Sequence, residues 1–149
     1  MTTLRDLLGE HPKIVHVTPD VTVRAAAKAM AGDNVGCVVI LEQGRLMGLF
    51  TERDILKRVL LKDLNTDEVR VEQVMTRQII TGRAEQTADE GREIVRSHHI
   101  RHLPVVAVDG GLLGVLSLRD LLQDEAEEAR RTVEEVHRFL HGEVFEGPR

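Results

Sequence analysis

The sequence predicts an α/β protein made of two copies of one βαββα unit, followed by a C-terminal helical extension. Three observations carry this prediction. Residues 44–56, Gly-Arg-Leu-Met-Gly-Leu-Phe-Thr-Glu-Arg-Asp-Ile-Leu, line up with 110–122, Gly-Gly-Leu-Leu-Gly-Val-Leu-Ser-Leu-Arg-Asp-Leu-Leu, so Gly114 falls 66 residues after Gly48 and Asp120 falls 66 after Asp54. Val-rich runs of strand length flank a Gly-containing turn at Glu42-Gln43-Gly44. Ahead of them, Val23-Arg24-Ala25-Ala26-Ala27-Lys28-Ala29-Met30 is rich in Ala and has helical spacing.

The repeat assigns the elements in order. The offset of 66 also lays Val38-Val39-Ile40 on Pro104-Val105-Val106. Upstream, Val21 to Met30 matches Gln86 to Val95 at an offset of 65, and a one-residue insertion between Ser97 and His102 accounts for the shift. The first copy is then a leading strand at 14–17, a helix at 21–31, strands at 37–41 and 46–50, and a helix at 52–61. The second runs from a strand at 79–80 through a helix at 87–97 and strands at 103–108 and 112–116 to a helix beginning near Ser117.

The domain reading is 1–61 for the first repeat, 62–68 for a polar linker, 69–122 for the second repeat, and 123–149 for a C-terminal helix and tail. Helix is expected to about His141. Leu122, Ala126, Ala129, Val133, Val136 and Leu140 share one stripe, suited either to a weak coiled coil with a second chain or to packing on the parent domain.

Size and composition set limits on function. At 149 residues, neither half buries enough surface alone, so the two must share a core. Apolar residues at 42% and charged residues at 30% describe a folded chain. With 25 acidic against 20 basic residues the net charge is -5, which disfavours nucleic acid and membrane surfaces. The single cysteine, Cys37, lies in an apolar run and reads as core packing. No signal-peptide pattern or membrane-length apolar stretch is present in the sequence, so the expected location is cytoplasmic.

The repeated motif is Gly-x-x-Thr/Ser-x-x-Asp, at Gly48 to Asp54 and Gly114 to Asp120. One reading is structural: Thr51-x-x-Asp54 and Ser117-x-x-Asp120 resemble capping boxes with Asp in place of Glu or Gln. The other is functional. A helix start with free N–H groups and a hydroxyl suits phosphate, and a carboxylate one turn in accepts hydrogen bonds from two adjacent ribose hydroxyls. Arg53 and Arg119 recur at matching positions and suit either a phosphate contact or a solvated face. The run His98-His99-Ile100-Arg101-His102 reads as turn histidines with one phosphate contact, since no thiolate or carboxylate nearby completes a metal site. No metal is expected. A nucleophile–base pair, paired carboxylates in one motif and a Gly-x-x-x-x-Gly-Lys loop are all missing from the sequence, so the expectation is a binding protein and not an enzyme.

Val17-Thr18-Pro19-Asp20, Val74-Met75-Thr76, Ile100-Arg101-His102-Leu103-Pro104-Val105-Val106 and the two Gly-to-Asp motifs stand out along the chain. Together they resemble a tandem pair of cystathionine β-synthase (CBS) domains, the Bateman module, over about residues 12–122. The resemblance implies two repeats packed about a pseudo-two-fold axis with two clefts that take AMP, ADP, ATP or S-adenosylmethionine. It places Asp54 and Asp120 on ribose hydroxyls, Thr51 and Ser117 on phosphate or ribose, and Arg101 and His102 on phosphate. It places the backbone near Ile14-Val15 and Ile79-Ile80, with Val39 and Val105, around adenine. At the offset of 66, Val35 and Gly36 stand where the second copy has Arg101 and His102, so two unequal clefts are expected.

The functional expectation is a regulatory module that binds an adenosine nucleotide, signals to an effector protein of unknown identity, and forms a homodimer, the flat disc of four units usual in the family. The alternatives are a structural dimerisation module without ligand, or S-adenosylmethionine or NAD binding.

Overall fold

The computed structural model describes residues 1–132 and 146–149. A short helix, α1 (Leu4–Leu8), precedes the first repeat of β1 (His16–Val17), α2 (Val23–Gly32), β2 (Cys37–Glu42), β3 (Arg45–Thr51) and α3 (Glu52–Asp54). The second repeat is β4 (Gly82–Arg83), α4 (Ala88–His98), β5 (His102–Val106), β6 (Leu112–Ser117) and α5 (Leu118–Thr132). Each repeat makes a three-stranded sheet in sequence order. The leading strand is parallel to the second, and the second pairs antiparallel with the third.

Several local expectations need correction. α3 runs directly into a π-helical stretch, Ile55–Leu60, and the Leu61 N–H reaches five residues back to the Leu56 carbonyl at 3.1 Å. The leading strands begin at His16 and Gly82, two or three residues later than expected. The Leu122–Ala126–Ala129 part of the C-terminal stripe lies exposed on α5, while Val133, Val136 and Leu140, and helix to His141, fall outside the described residues.

The one-residue insertion sits in the second hairpin turn, not between Ser97 and His102. The paired residues Leu41 and Leu46 close a tight turn, with Gln43 and Gly44 both at positive φ (50° and 76°). Their counterparts Val106 and Leu112 are one residue further apart. From β1 through β5 the halves therefore correspond at an offset of 65, and beyond the turn at 66. Ile40, paired with Gly48, matches Val105, paired with Gly114. Val39 then corresponds to Pro104, and Gly36 and Cys37 to Arg101 and His102.

The register decides which side chains face which core, because alternate residues of a strand point to opposite faces. Val38, Ile40 and Phe50 pack with Val23, Ala26 and Met30 in a first core, and their counterparts Leu103, Val105 and Leu116 pack with Val95 and Leu121 in a second. On the opposite faces, Cys37, Val39 and Leu49 meet Leu112 and Val115 from the other sheet, with Ile14 and Ile79 joining them. This third cluster joins the two sheets face to face. Its equivalent pairs Leu46/Leu112, Leu49/Val115 and Ile14/Ile79 are the mark of a pseudo-two-fold arrangement.

The two halves exchange their leading segments. The segment that precedes each repeat completes the other one. Leu4, fully buried, packs into the second core, and the arm that carries it bonds the Gln86 carbonyl through Leu4 N–H (2.8 Å) and the Ala84 carbonyl through Arg5 N–H (3.0 Å). Reciprocally, Val71, Val74 and Met75 pack into the first core. There Val23 N–H reaches the Val69 carbonyl (2.9 Å) and Val71 N–H the Val21 carbonyl (2.8 Å). Residues 1–8 thus dock on the second half, and 69–75 on the first. Gly91 stands where the first half has Ala26, and a Cβ there would lie 2.6 Å from Leu4 Cδ2, so the larger Leu is matched by the smaller partner.

On the second half's outer side, the Arg92 guanidinium bridges α4 to α5 through the Leu121 carbonyl (3.1 Å) and Asp124 (3.3 Å). No helix among the described residues is long and apolar enough to cross a membrane. Leu4→Ala is expected to lower stability by about 2–5 kcal/mol, the usual cost of a large-to-small change in a core. Chemical denaturation of the variant against wild type measures it, and a loss below about 0.5 kcal/mol is the result for an arm that does not dock.

Candidate functional site

Two cavities open at the junction between the halves, of about 450 Å³ and about 1210 Å³. The smaller gathers Thr51, Arg53 and Asp54 from the start of α3 with Ile79, Ile80, Arg101 and His102 from the second half. The larger gathers Ser117, Arg119 and Asp120 from the start of α5 with Ile14, Val15 and Val39 from the first half, and again Arg101 and His102. Each cavity therefore joins the Thr/Ser-x-x-Asp helix start of one repeat to the residues ahead of the other repeat's leading strand. Of the residues expected at the site, only Val105 lines neither. It is fully buried in the second core, because the corrected register puts it on the face that Ile40 occupies in the first half.

Both helix starts are reciprocal capping boxes. Asp54 N–H donates to Thr51 Oγ1 (3.2 Å) while Asp54 Oδ2 accepts from Thr51 N–H (3.0 Å), and Ser117 and Asp120 repeat the pair at 3.1 and 2.8 Å. Their surroundings differ. Asp54 is 7% exposed, the only buried charged residue among those described. Thr76 Oγ1 donates to both its oxygens (3.1 and 3.2 Å), and Arg58 Nε lies 3.6 Å from Oδ1. Arg58 also donates to the Met75 carbonyl (3.0 Å), fixing the arm that delivers Thr76. Asp120 is exposed and makes no bond beyond the cap among the described residues. The clefts thus differ in their carboxylates but share Arg101 and His102, whose equivalents in the first half are Gly36 and Cys37.

Arg101 is exposed, and its carbonyl accepts from Leu118 N–H (2.8 Å), which holds it at the head of β5 beside α5. His102 opens β5, and burial lowers its pKa from the usual 6.5, with the opposing pull of Glu52 second in size. Arg53 Nη1 donates to the His99 carbonyl (3.2 Å) at the left-handed end of α4 (φ 54°). His98 and His99 are exposed, and no group of three His, Cys, Asp or Glu among the described residues is placed to hold a metal ion. Cys37 is buried, and desolvation, with Asp54 second, pushes its thiol up to about 12, so it stays protonated and packs as an apolar group.

Sequence reasoning missed Thr76, Glu52, Lys57 and Lys13, all of which line a cavity. Lys57 was within reach of inspection, being three residues after Asp54 and so on the same side of the helix. Thr76 sits inside the quoted Val-Met-Thr run, but its bond to Asp54 spans 22 residues and has no local signature.

Two sheets in a pseudo-symmetric pair, with a cleft at each helix start, define a class of tandem α/β repeats. The CBS domain pattern matches residues 3–61 and 71–127. The chain belongs to the CBS domain family. It is similar to the CBS domain-containing protein YhcV of Bacillus subtilis, at 30% identity over 81% of this chain and 84% of that one. Its fold matches that of a putative signal-transduction protein with CBS domains from Burkholderia ambifaria, with a TM-score of 0.80, 30% identity, and coverage of 85% and 96% of the two chains. It also matches the CBS domain protein PAE2072 from Pyrobaculum aerophilum, solved in complex with AMP, with a TM-score of 0.73, 28% identity, and coverage of 84% and 98%.

The His102 ring is expected to titrate below 6.5 in the free protein and to move upward when an anion occupies either cleft. Imidazole NMR shifts against pH report both midpoints. Because the folded pKa is depressed, stability should fall as pH drops from 6.5 toward the lowered midpoint. A free-protein midpoint at or above 6.5 contradicts the burial argument.

Proposed function

We propose that this chain is a non-enzymatic regulatory module that binds an adenosine nucleotide, AMP, ADP or ATP, between its repeats. The observation that carries the proposal is the pairing, in each cleft, of an Asp at a helix start with an apolar segment from the opposite half. A carboxylate one turn into a helix suits a ribose diol, and free N–H groups at the same helix start suit phosphate. In this reading Asp54 and Asp120 hold ribose, Thr51 and Ser117 contact ribose or phosphate, and Arg101 and His102 neutralise phosphate. Arg53 and Arg119 serve as further cations at the rims. Ile79-Ile80 in one cleft, and Ile14-Val15 with Val39 in the other, enclose adenine. Val105 has no part in it. The AMP complex of PAE2072 supports the ligand class.

The output is a change in a second protein, in the cytoplasm, driven by the ligand's different affinity for two arrangements of the repeats. A homodimer fits the exposed leucines on the second helices. Leu56 and Leu122 are equivalent positions, 49% and 51% exposed, and Leu60, one turn beyond Leu56, is 63% exposed. The same leucines favour the second reading, a dimerisation module whose clefts stay empty. S-adenosylmethionine and NAD are the alternative ligands.

Thermal unfolding with AMP, ADP, ATP, NAD and S-adenosylmethionine separates these readings. A ligand at a hundred times its Kd stabilises the native state by about 2.7 kcal/mol, which raises the melting temperature by several degrees. Asp120→Ala or Asp54→Ala should reduce that rise. No rise with any of the five leaves the capping-box reading of both motifs and the structural module.

A further inference from the structure

We infer that the two clefts compete for one phosphate-neutralising wall, so that a phosphorylated ligand in one cleft weakens binding in the other. The inference rests on the proposed nucleotide reading and specifies its regulation. Gly36, Glu52, Arg101 and His102 line both cavities. The molecule's pseudo-symmetry ought to supply two such walls, but the positions equivalent to Arg101 and His102 are Gly36 and Cys37, one without a side chain and the other an uncharged buried thiol. Gly36 packs against the same wall, with its Cβ position 3.1 Å from Glu52 Oε1 and 3.5 Å from His102 Cε1.

Cations elsewhere in the clefts relieve this only partly. Arg53 is turned to the His99 carbonyl and Lys13 is paired with Asp33, while Lys57 in the smaller cleft and Arg119 in the larger each line one cavity alone and are not part of the shared wall. Once a first phosphate engages Arg101, a second ligand meets that phosphate and the Glu52 carboxylate with no matching cation on the wall. Like charges separated by about a Debye length, roughly 8 Å at physiological salt, still repel.

The order of filling follows from the carboxylates. Asp120 is exposed in the larger cavity, whereas Asp54 is already held by Thr76 and Arg58, which a ribose must displace. The Asp120 cleft fills first.

Calorimetric titration of the full chain with AMP and ATP, and with adenosine as the ligand lacking phosphate, tests the inference. In wild type the second nucleotide step belongs to the Asp54 cleft. In Asp120→Ala that cleft binds alone, and its affinity for nucleotide should be about tenfold tighter than the wild-type second step, a coupling within the usual range. Adenosine should bind the Asp54 cleft equally in both proteins. Arg101→Ala should weaken both nucleotide steps and leave adenosine unchanged. Asp120 and Arg101 are exposed, and melting curves of the two variants without ligand serve as the check that both fold. Equal affinity of the Asp54 cleft in wild type and Asp120→Ala, or loss of only one step in Arg101→Ala, overturns the shared wall while leaving the nucleotide reading intact. If neither nucleotides nor adenosine bind wild type, the nucleotide reading itself fails and this inference falls with it.

Discussion

The exchange of leading arms is the constraint on which the rest of the structure depends. A half of this size cannot close its own core, and each one lacks a large apolar residue that the other supplies, Leu4 in one direction and Val71 in the other. The exchange also explains the glycine that opens each repeated motif. A Cβ on Gly48 would lie 2.5 Å from Met75 Sδ and 2.9 Å from the Thr76 carbonyl, and one on Gly114 would lie 2.7 Å from Leu8 Cδ2. These glycines are there because an arm crosses the third strand at that point. The crossing on the first half, locked by paired bonds between Leu49 and Thr76 (3.0 and 2.8 Å), sets the Thr76 hydroxyl against Asp54. Packing and site are thus parts of one arrangement.

The same motif produces two different environments because its neighbours are not repeated. Glu52 follows Thr51, whereas Leu118 follows Ser117, so an acid enters the shared wall from one side only. The arm that meets Asp54 carries a threonine. On the other half, Leu8 and Pro12 lie against Gly114 and leave Asp120 open. Internal duplication preserved the backbone and let the charges diverge.

Much of the fold was legible because its signals are local. The Gln43-Gly44 turn, the Ala-rich α2 and the capping boxes each announce themselves within a few residues, and the family resemblance rested on short segments too: the two Gly-to-Asp motifs with Val17 to Asp20, Val74 to Thr76 and Ile100 to Val106. The register of β5 was not legible. A one-residue insertion in the second hairpin turn leaves every apolar run in place whichever side of the strand it is assigned to, so Val105 and Pro104 exchange roles without any change in hydrophobic pattern. The arm exchange was hidden for a related reason: Leu4 and Val71 look like ordinary apolar residues of the repeat that follows them, and only long-range contact shows where they dock. For the candidate site, the helix starts were legible and the residues that hold or oppose them across the junction were not.

The arm exchange also sets an order of events during synthesis. Residues 2–8 leave the ribosome well before the surface that receives them, which is built from residues 82–121. At translation rates of about 5–20 residues per second, the opening segment waits several seconds as an exposed apolar stretch. The first half, by contrast, gains its missing piece as soon as residues 69–75 emerge. The halves are therefore completed in sequence, and the second closes only when an earlier stretch of the chain returns to a later one.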